Sequence, residues 1–198
     1  MLVNNDKKII ILLTPRCAST SIALMYSRLT GFNYLLNNFC ENLHHHVRML
    51  DIVNLDYANY EIFLVYRPIL FWVKSCYSNF SNNYPEKAKY FLFDDFINNN
   101  GVDIRFDPVG WDWFSHAPEN MIIDKNGNIF KCKKYYFVNL KNIKEDLFDV
   151  LEKDYEIYPL TTIQSNESTK YSENQTITND QIEKIEKLCC PLNVLPKF

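Results

Sequence analysis

One turn between a buried strand and a helix constrains this chain more than any other stretch of it. Ile9-Ile10-Ile11-Leu12-Leu13 is an apolar run without alternation. Such a run reads as a strand covered on both faces, as in a parallel sheet. Thr14–Ser21 (TPRCASTS) interrupts it, and the apolar residues Ile22, Leu24, Met25 and Leu29 then predict a helix over Thr20–Leu29 that stops at Gly31. A strand feeding a helix through a tight loop makes an anion site, because the free N–H groups of the first turn and the helix dipole both favour negative charge. Ala18, Ser19, Thr20 and Ser21 are small enough to let an anion approach those groups, and three of them carry hydroxyl donors. Arg16 adds a permanent cation with a forked donor geometry.

The loop is not of the Walker type. GxxxxGK[ST] is absent, and none of the chain's 4 glycines falls in Thr14–Ser21. It is not a Cys-x5-Arg phosphatase loop either, since Ala23 stands six residues after Cys17. The plain alternative is that Ser19–Ser21 do no more than cap the helix.

The order of elements beyond the loop predicts an α/β fold. Phe32–Leu36 reads as a short strand, and Glu61–Tyr66 (EIFLVY) as a second buried strand closed by Arg67-Pro68. Pro68 opens a helix that runs to about Phe80. A further helix is expected over Glu86–Asn98. Ile122-Ile123 and Ile129-Phe130 flank Asp124-Lys125-Asn126-Gly127, a hairpin signal. Tyr135–Leu140 is another strand, and Asn142 is placed to cap a helix over Ile143–Lys153. Gln164–Gln175 is a polar loop. Thr178 or Asn179 caps a last helix, Asp180–Leu188, and Pro191 ends it. No repeat or linker appears in the 198 residues, so residues 1–198 read as a single domain. Its expected form is a three-layer sandwich with a central, mainly parallel sheet flanked by helices.

Composition narrows the function. A net charge of −3 speaks against a nucleic-acid binder, which carries a basic face. No run approaches the roughly 18 apolar residues that span a membrane, and Ile9–Leu13 is too short for a signal peptide. The 6 cysteines show no CxxC spacing, so no metal site is expected, and they read as reduced thiols of a cytoplasmic protein.

Pro15-Arg16-Cys17-Ala18-Ser19-Thr20-Ser21 resembles the 5′-phosphosulfate loop of sulfotransferases that use 3′-phosphoadenosine 5′-phosphosulfate (PAPS), roughly Pro-Lys-x-Ala/Gly-Ser/Thr-Thr-Ser in the heparan sulfate 2-O-sulfotransferase group. Arg16 stands where that group often has Lys. The family's 3′-phosphate anchor is an Arg after a later strand, followed by a Ser. Here Arg67 follows Glu61–Tyr66 and Ser75 lies eight positions on, although Pro68-Ile69 replaces the usual Asp-Pro. The plain alternative for Arg67 is a surface ion pair. His44-His45-His46-Val47-Arg48-Met49-Leu50-Asp51 is similar to the group's His-x-His-Val-x-x-Leu-Asp segment, which supplies a catalytic base. Gln164–Tyr171 (QSNESTKY) resembles a loop that closes over the nucleotide.

The resemblance implies a P-loop-like fold and a sulfuryl transfer from PAPS to a hydroxyl acceptor, most naturally a carbohydrate, leaving PAP and needing no metal. It makes His46, then His44, the base, with Arg16 stabilising charge on the leaving phosphate. It assigns nucleotide binding to Pro15, Arg16, Cys17, Ala18, Ser19, Thr20, Ser21, Arg67, Ser75, Ser168, Thr169 and Lys170. Two other classes stay open on the residues: a divergent P-loop nucleotide kinase or NTPase, and a non-catalytic module that binds PAP or another nucleotide.

Overall fold

The computed structural model describes residues 1–26, 32–34, 48–49, 57–102, 112–158 and 175–196. In chain order the elements are β1 (Leu2–Asn4), β2 (Ile9–Leu12), α1 (Ser19–Tyr26), β3 (Phe32–Tyr34), β4 (Glu61–Tyr66), α2 (Ile69–Asn83), α3 (Pro85–Ala88), α4 (Phe93–Asn98), β5 (Lys134–Asn139), α5 (Asp149–Tyr155) and α6 (Asn179–Cys189). The chain divides into two compact units, Met1–Arg67 with Met121–Ser165, and Pro68–Asn120 with Asn166–Phe198. Among the described residues no helix is long and apolar enough to cross a membrane.

The first unit holds a five-stranded sheet in the order β3-β1-β2-β4-β5. β2, β4 and β5 pair in parallel, with Leu12 opposite Leu64 and Leu64 opposite Phe137. β1 runs against both β2 and β3, so four of the five strands point one way. The expected α/β class and mainly parallel sheet are therefore present. The continuous apolar runs behave as two-sided strands: all of β2, and Ile62 through Val65 of β4, have 0% exposure. Aromatic rings cover the sheet. Phe63 stacks on Tyr136 at 4.3 Å and meets Tyr155 of α5 edge-on, while Tyr26 of α1 lies against Phe32 and Phe148.

Two local predictions are corrected here. β1 was not expected; Asn5–Lys8 turns it into β2, with Lys7 N–H donating to Asn4 Oδ1 at 2.9 Å. The helix after β5 begins differently. Asn139, not Asn142, caps the turn by accepting from Lys141 N–H at 3.0 Å, and a π-helical stretch, Lys144–Phe148, precedes α5. The expected hairpin forms, with Ile123 bridging Ile129 and Phe130 N–H bonding to Ile122 O.

At the start of β4, Glu61 Oε2 accepts from Tyr136 Oη–H at 3.0 Å and from Tyr155 Oη–H, and Glu61 Oε1 pairs with Lys133 Nζ at 2.7 Å. Burial pushes this carboxyl up, but the bonds from Lys133, Tyr155 and Tyr136 outweigh it and the net pKa is lowered. A lowered folded pKa adds stability above the unfolded value of about 4.3, and that stability is lost as pH falls through the folded value. Glu61→Gln should therefore melt below the wild type at neutral pH, with the gap closing between about pH 5 and pH 3. A gap independent of pH would contradict this.

The second unit is built on aromatics. Trp72 is fully buried and lies 6.4 Å from Phe114; Tyr77, Phe80, Phe91, Phe93 and Phe96 form a continuous set of ring contacts. The single helix expected over Glu86–Asn98 is two short ones. Phe91 and Phe93 are both buried while Tyr90 and Leu92 are exposed, and residues two apart cannot share a helix face, so the chain extends between α3 and α4. α6 starts as expected at Thr178, whose hydroxyl accepts from Gln181 N–H at 3.3 Å while Gln181 Oε1 accepts from Thr178 N–H at 2.9 Å. Its Gln181 and Lys184 side chains hold Asp94 and the Asn98 carbonyl of α4.

One buried acid organises this unit. Glu119 is 1% exposed. Its Oε2 accepts from the N–H groups of Leu192 and Asn193, and its Oε1 from those of Val194 and Leu195, at 2.8 to 3.0 Å. Neighbouring Asn120 donates through Nδ2 to the carbonyls of Phe114 and Leu188.

Candidate functional site: the Thr14–Ser21 loop

The loop leaves the C-terminal end of β2 as a turn closed by Cys17 N–H onto Thr14 O at 3.2 Å. Pro15 takes its second position, for which its fixed φ is suited, and Arg16 its third at φ 59°. That is the pattern of a type II turn, in which the third position ordinarily goes to Gly or Asn. Ala18 also has a left-handed backbone, φ 57°. Two such residues two positions apart cost about 1–2 kcal/mol each relative to right-handed backbone. Strain of this kind concentrates where a loop must present its backbone to a ligand, and turns of this shape form concave N–H nests for anions.

The residue before the helix brings it no side-chain cap. Ile22 N–H bonds to Ala18 O at 2.9 Å, which makes Ala18 the capping residue and places Ser19, Thr20 and Ser21 in the first turn. An alanine offers no side-chain acceptor to the N–H groups that follow it. The hydroxyls are therefore inside the helix start and not on its cap, so the plain reading of Ser19–Ser21 as capping residues does not describe them. Burial alternates along the loop. Pro15, Cys17 and Ser19 are buried, Arg16, Ala18 and Ser21 are half-buried, and Thr20 is exposed.

Arg67 comes to the same place from the neighbouring strand. It leaves the C-terminal end of β4, which lies beside β2 in parallel. Its charge and hydrogen-bonding groups bear on the Cys17 thiol. Burial pushes that thiol up to about 12, against the opposing pull of Arg67 and then Arg16. A thiol so placed stays protonated at neutral pH and is no nucleophile. Arg67 Nε is buried with no hydrogen-bond partner among the described residues, and no carboxylate among them pairs with Arg67. Among the described residues no surface ion pair accounts for it. Thr14, fully buried at the foot of the loop, likewise has an Oγ1 with no partner among the described residues. Sequence reasoning gave Thr14 no separate role; its burial follows only from the pairing of β2 with β4.

β2 and β4 are also where the sheet changes direction. The chain runs from β2 through α1 to β3 on one side of the sheet, and from β4 to β5 on the other. In open α/β sheets ligands bind outside the carboxyl ends of the strands at such a switch point.

The other predicted residues fall elsewhere. Ser75 is 5% exposed on α2, within the second unit and with contacts of its own. His44, His46, Ser168, Thr169 and Lys170 lie outside the described residues. Comparison with protein-family models, with curated proteins and with solved structures returns no match.

Proposed function

We propose that this chain is a PAPS-dependent sulfotransferase with a P-loop-like three-layer fold, and that Thr14–Ser21 and Arg67 hold the two phosphate ends of the nucleotide. The observation that carries the reading is the meeting of the loop and Arg67 at the C-terminal ends of β2 and β4. The residues suit a bisphosphorylated ligand. The start of α1, preceded by an alanine, offers N–H donors, and Thr14 Oγ1 and Arg67 Nε are buried polar atoms without partners among the described residues. PAPS would supply an activated sulfuryl group; the acceptor oxygen would bond to sulfur as the bond from sulfur to the 5′-phosphate oxygen breaks. Arg16 and the first-turn N–H groups would stabilise the charge left on that phosphate. His46 or His44 would take the acceptor's proton. The acceptor is a hydroxyl compound, in our reading a carbohydrate.

Calorimetric titration tests this. Micromolar binding of PAP without Mg²⁺, together with sulfate transfer from PAPS to a hydroxyl acceptor, is the expected result. Binding of ATP·Mg²⁺ with no preference for PAP would replace the reading with a nucleotide kinase or NTPase. PAP binding with no transfer to any acceptor would leave a non-catalytic nucleotide-binding module.

A further inference from the structure

A buried threonine hydroxyl ordinarily bonds a nearby carbonyl. Thr14 does not. It stands two residues past the end of β2 with 0% exposure, and its Oγ1 has no partner among the described residues. Valine has the same shape without the desolvated hydroxyl, so packing gives no reason for threonine at this place. The carbonyl of the same residue is engaged. It accepts from Cys17 N–H at 3.2 Å and so closes the turn that begins at Thr14.

That turn is a weak latch. Its bond lies at the long end of the N–H···O range, and its third residue, Arg16, has a left-handed backbone at φ 59°. Opening it gives up one long hydrogen bond and relaxes a strained residue. We infer, resting on the sulfotransferase reading, that Thr14 is a further ligand-binding residue: the turn opens as the nucleotide seats, and Thr14 Oγ1–H and the released Cys17 N–H both donate to its 5′-terminal anion. The 5′ end is the one concerned because Thr14 and Cys17 belong to the segment that runs straight into α1 at Ser19, whereas Arg67 comes from β4. One neutral bond is exchanged for two bonds to an anion, which are the stronger kind, so the open turn is favoured only when the ligand is present. The hydroxyl adds a donor without adding charge, and its partner in the complex is the one it lacks in the free protein.

The test is calorimetry on the full chain with PAP, AMP and inorganic pyrophosphate, beside melting curves of the free proteins. Thr14→Val keeps the shape and removes the donor. It should melt at or above the wild-type temperature, because a buried hydroxyl without a partner is lost, and should bind all three ligands about tenfold more weakly. PAP and AMP share the 5′-phosphate, so their losses should match. Thr14→Ser keeps the donor and should bind within about threefold of wild type. Wild-type affinity in the valine variant, or a serine variant as weak as the valine one, would overturn the assignment. A valine variant that melts lower or fails to fold would also overturn it, since the hydroxyl would then be satisfied in the free protein. A loss confined to PAP would place Thr14 at the 3′-phosphate and overturn the 5′ assignment. A wild type that binds pyrophosphate but neither nucleotide, with that binding weakened by Thr14→Val, would overturn the nucleotide reading and leave Thr14 as an anion ligand. A wild type that binds none of the three would overturn both.

Discussion

Arg67→Ala is expected to weaken PAP binding by about 30- to 150-fold, equivalent to about 2–3 kcal/mol for a lost charge-assisted hydrogen bond, and to change AMP binding only a few-fold. The asymmetry is the point. On the proposed reading AMP would occupy the loop through its 5′-phosphate, and its grip would depend on Arg16 and the N–H groups at the start of α1. PAP would need a second cation, and Arg67, which leaves the neighbouring strand β4, is the one proposed here. Lys in its place should recover only part of the loss, because it supplies a charge without the fork. Equal losses for PAP and AMP would mean that Arg67 serves the 5′-phosphate, and the assignment of the 3′-phosphate to it would fall.

Glu119→Ala should cost the fold about 2–4 kcal/mol, since it leaves no acceptor for four backbone N–H groups that are part-buried to buried. For a chain of this length that corresponds to a fall in melting temperature of about 5–15 °C. Glu119→Gln should rescue only part of it, because the amide nitrogen would face two N–H donors. Hydrogen exchange gives the local readout: the amides of Leu192 through Leu195 should lose protection before those of β2 and β4. A melting temperature within about 1 °C of wild type would show that the segment is held by its apolar contacts and not by the acid.

The strands that form the floor of the site were legible because burial on both faces leaves a continuous apolar run, as in Ile9–Leu12 and Ile62–Val65. β1 has no such run. It has only three residues, Leu2–Asn4, too few to show a pattern of their own. The loop was legible as a strand-to-helix turn rich in small residues, and so was the place of Arg67 at the end of a buried strand. Their meeting was not. It depends on β2 and β4 being neighbours, a pairing between segments some fifty residues apart that no local pattern encodes. Nor could the full burial of Cys17 be told from its place among small loop residues, since it depends on what packs around it. The type II turn was hidden for another reason: Arg16 occupies the position that a glycine would have advertised. Glu119 was missed outright. Its four partners stand more than seventy residues away, and a single acid with no flanking pattern looks like any surface charge.

The left-handed pair at Arg16 and Ala18 places this loop in an unusual position in sequence space. Across most of a protein a drift toward glycine is uphill, since glycine loosens the unfolded chain and removes packing. At these two positions the native backbone is one that glycine adopts freely and that arginine and alanine resist. Mutation toward glycine there relieves strain as it loses side-chain chemistry, so selection must hold the present residues in place. Alanine has only a methyl group to lose. Arginine has a charge, and that charge is the more persuasive reason for the sequence to keep a strained loop instead of a relaxed one.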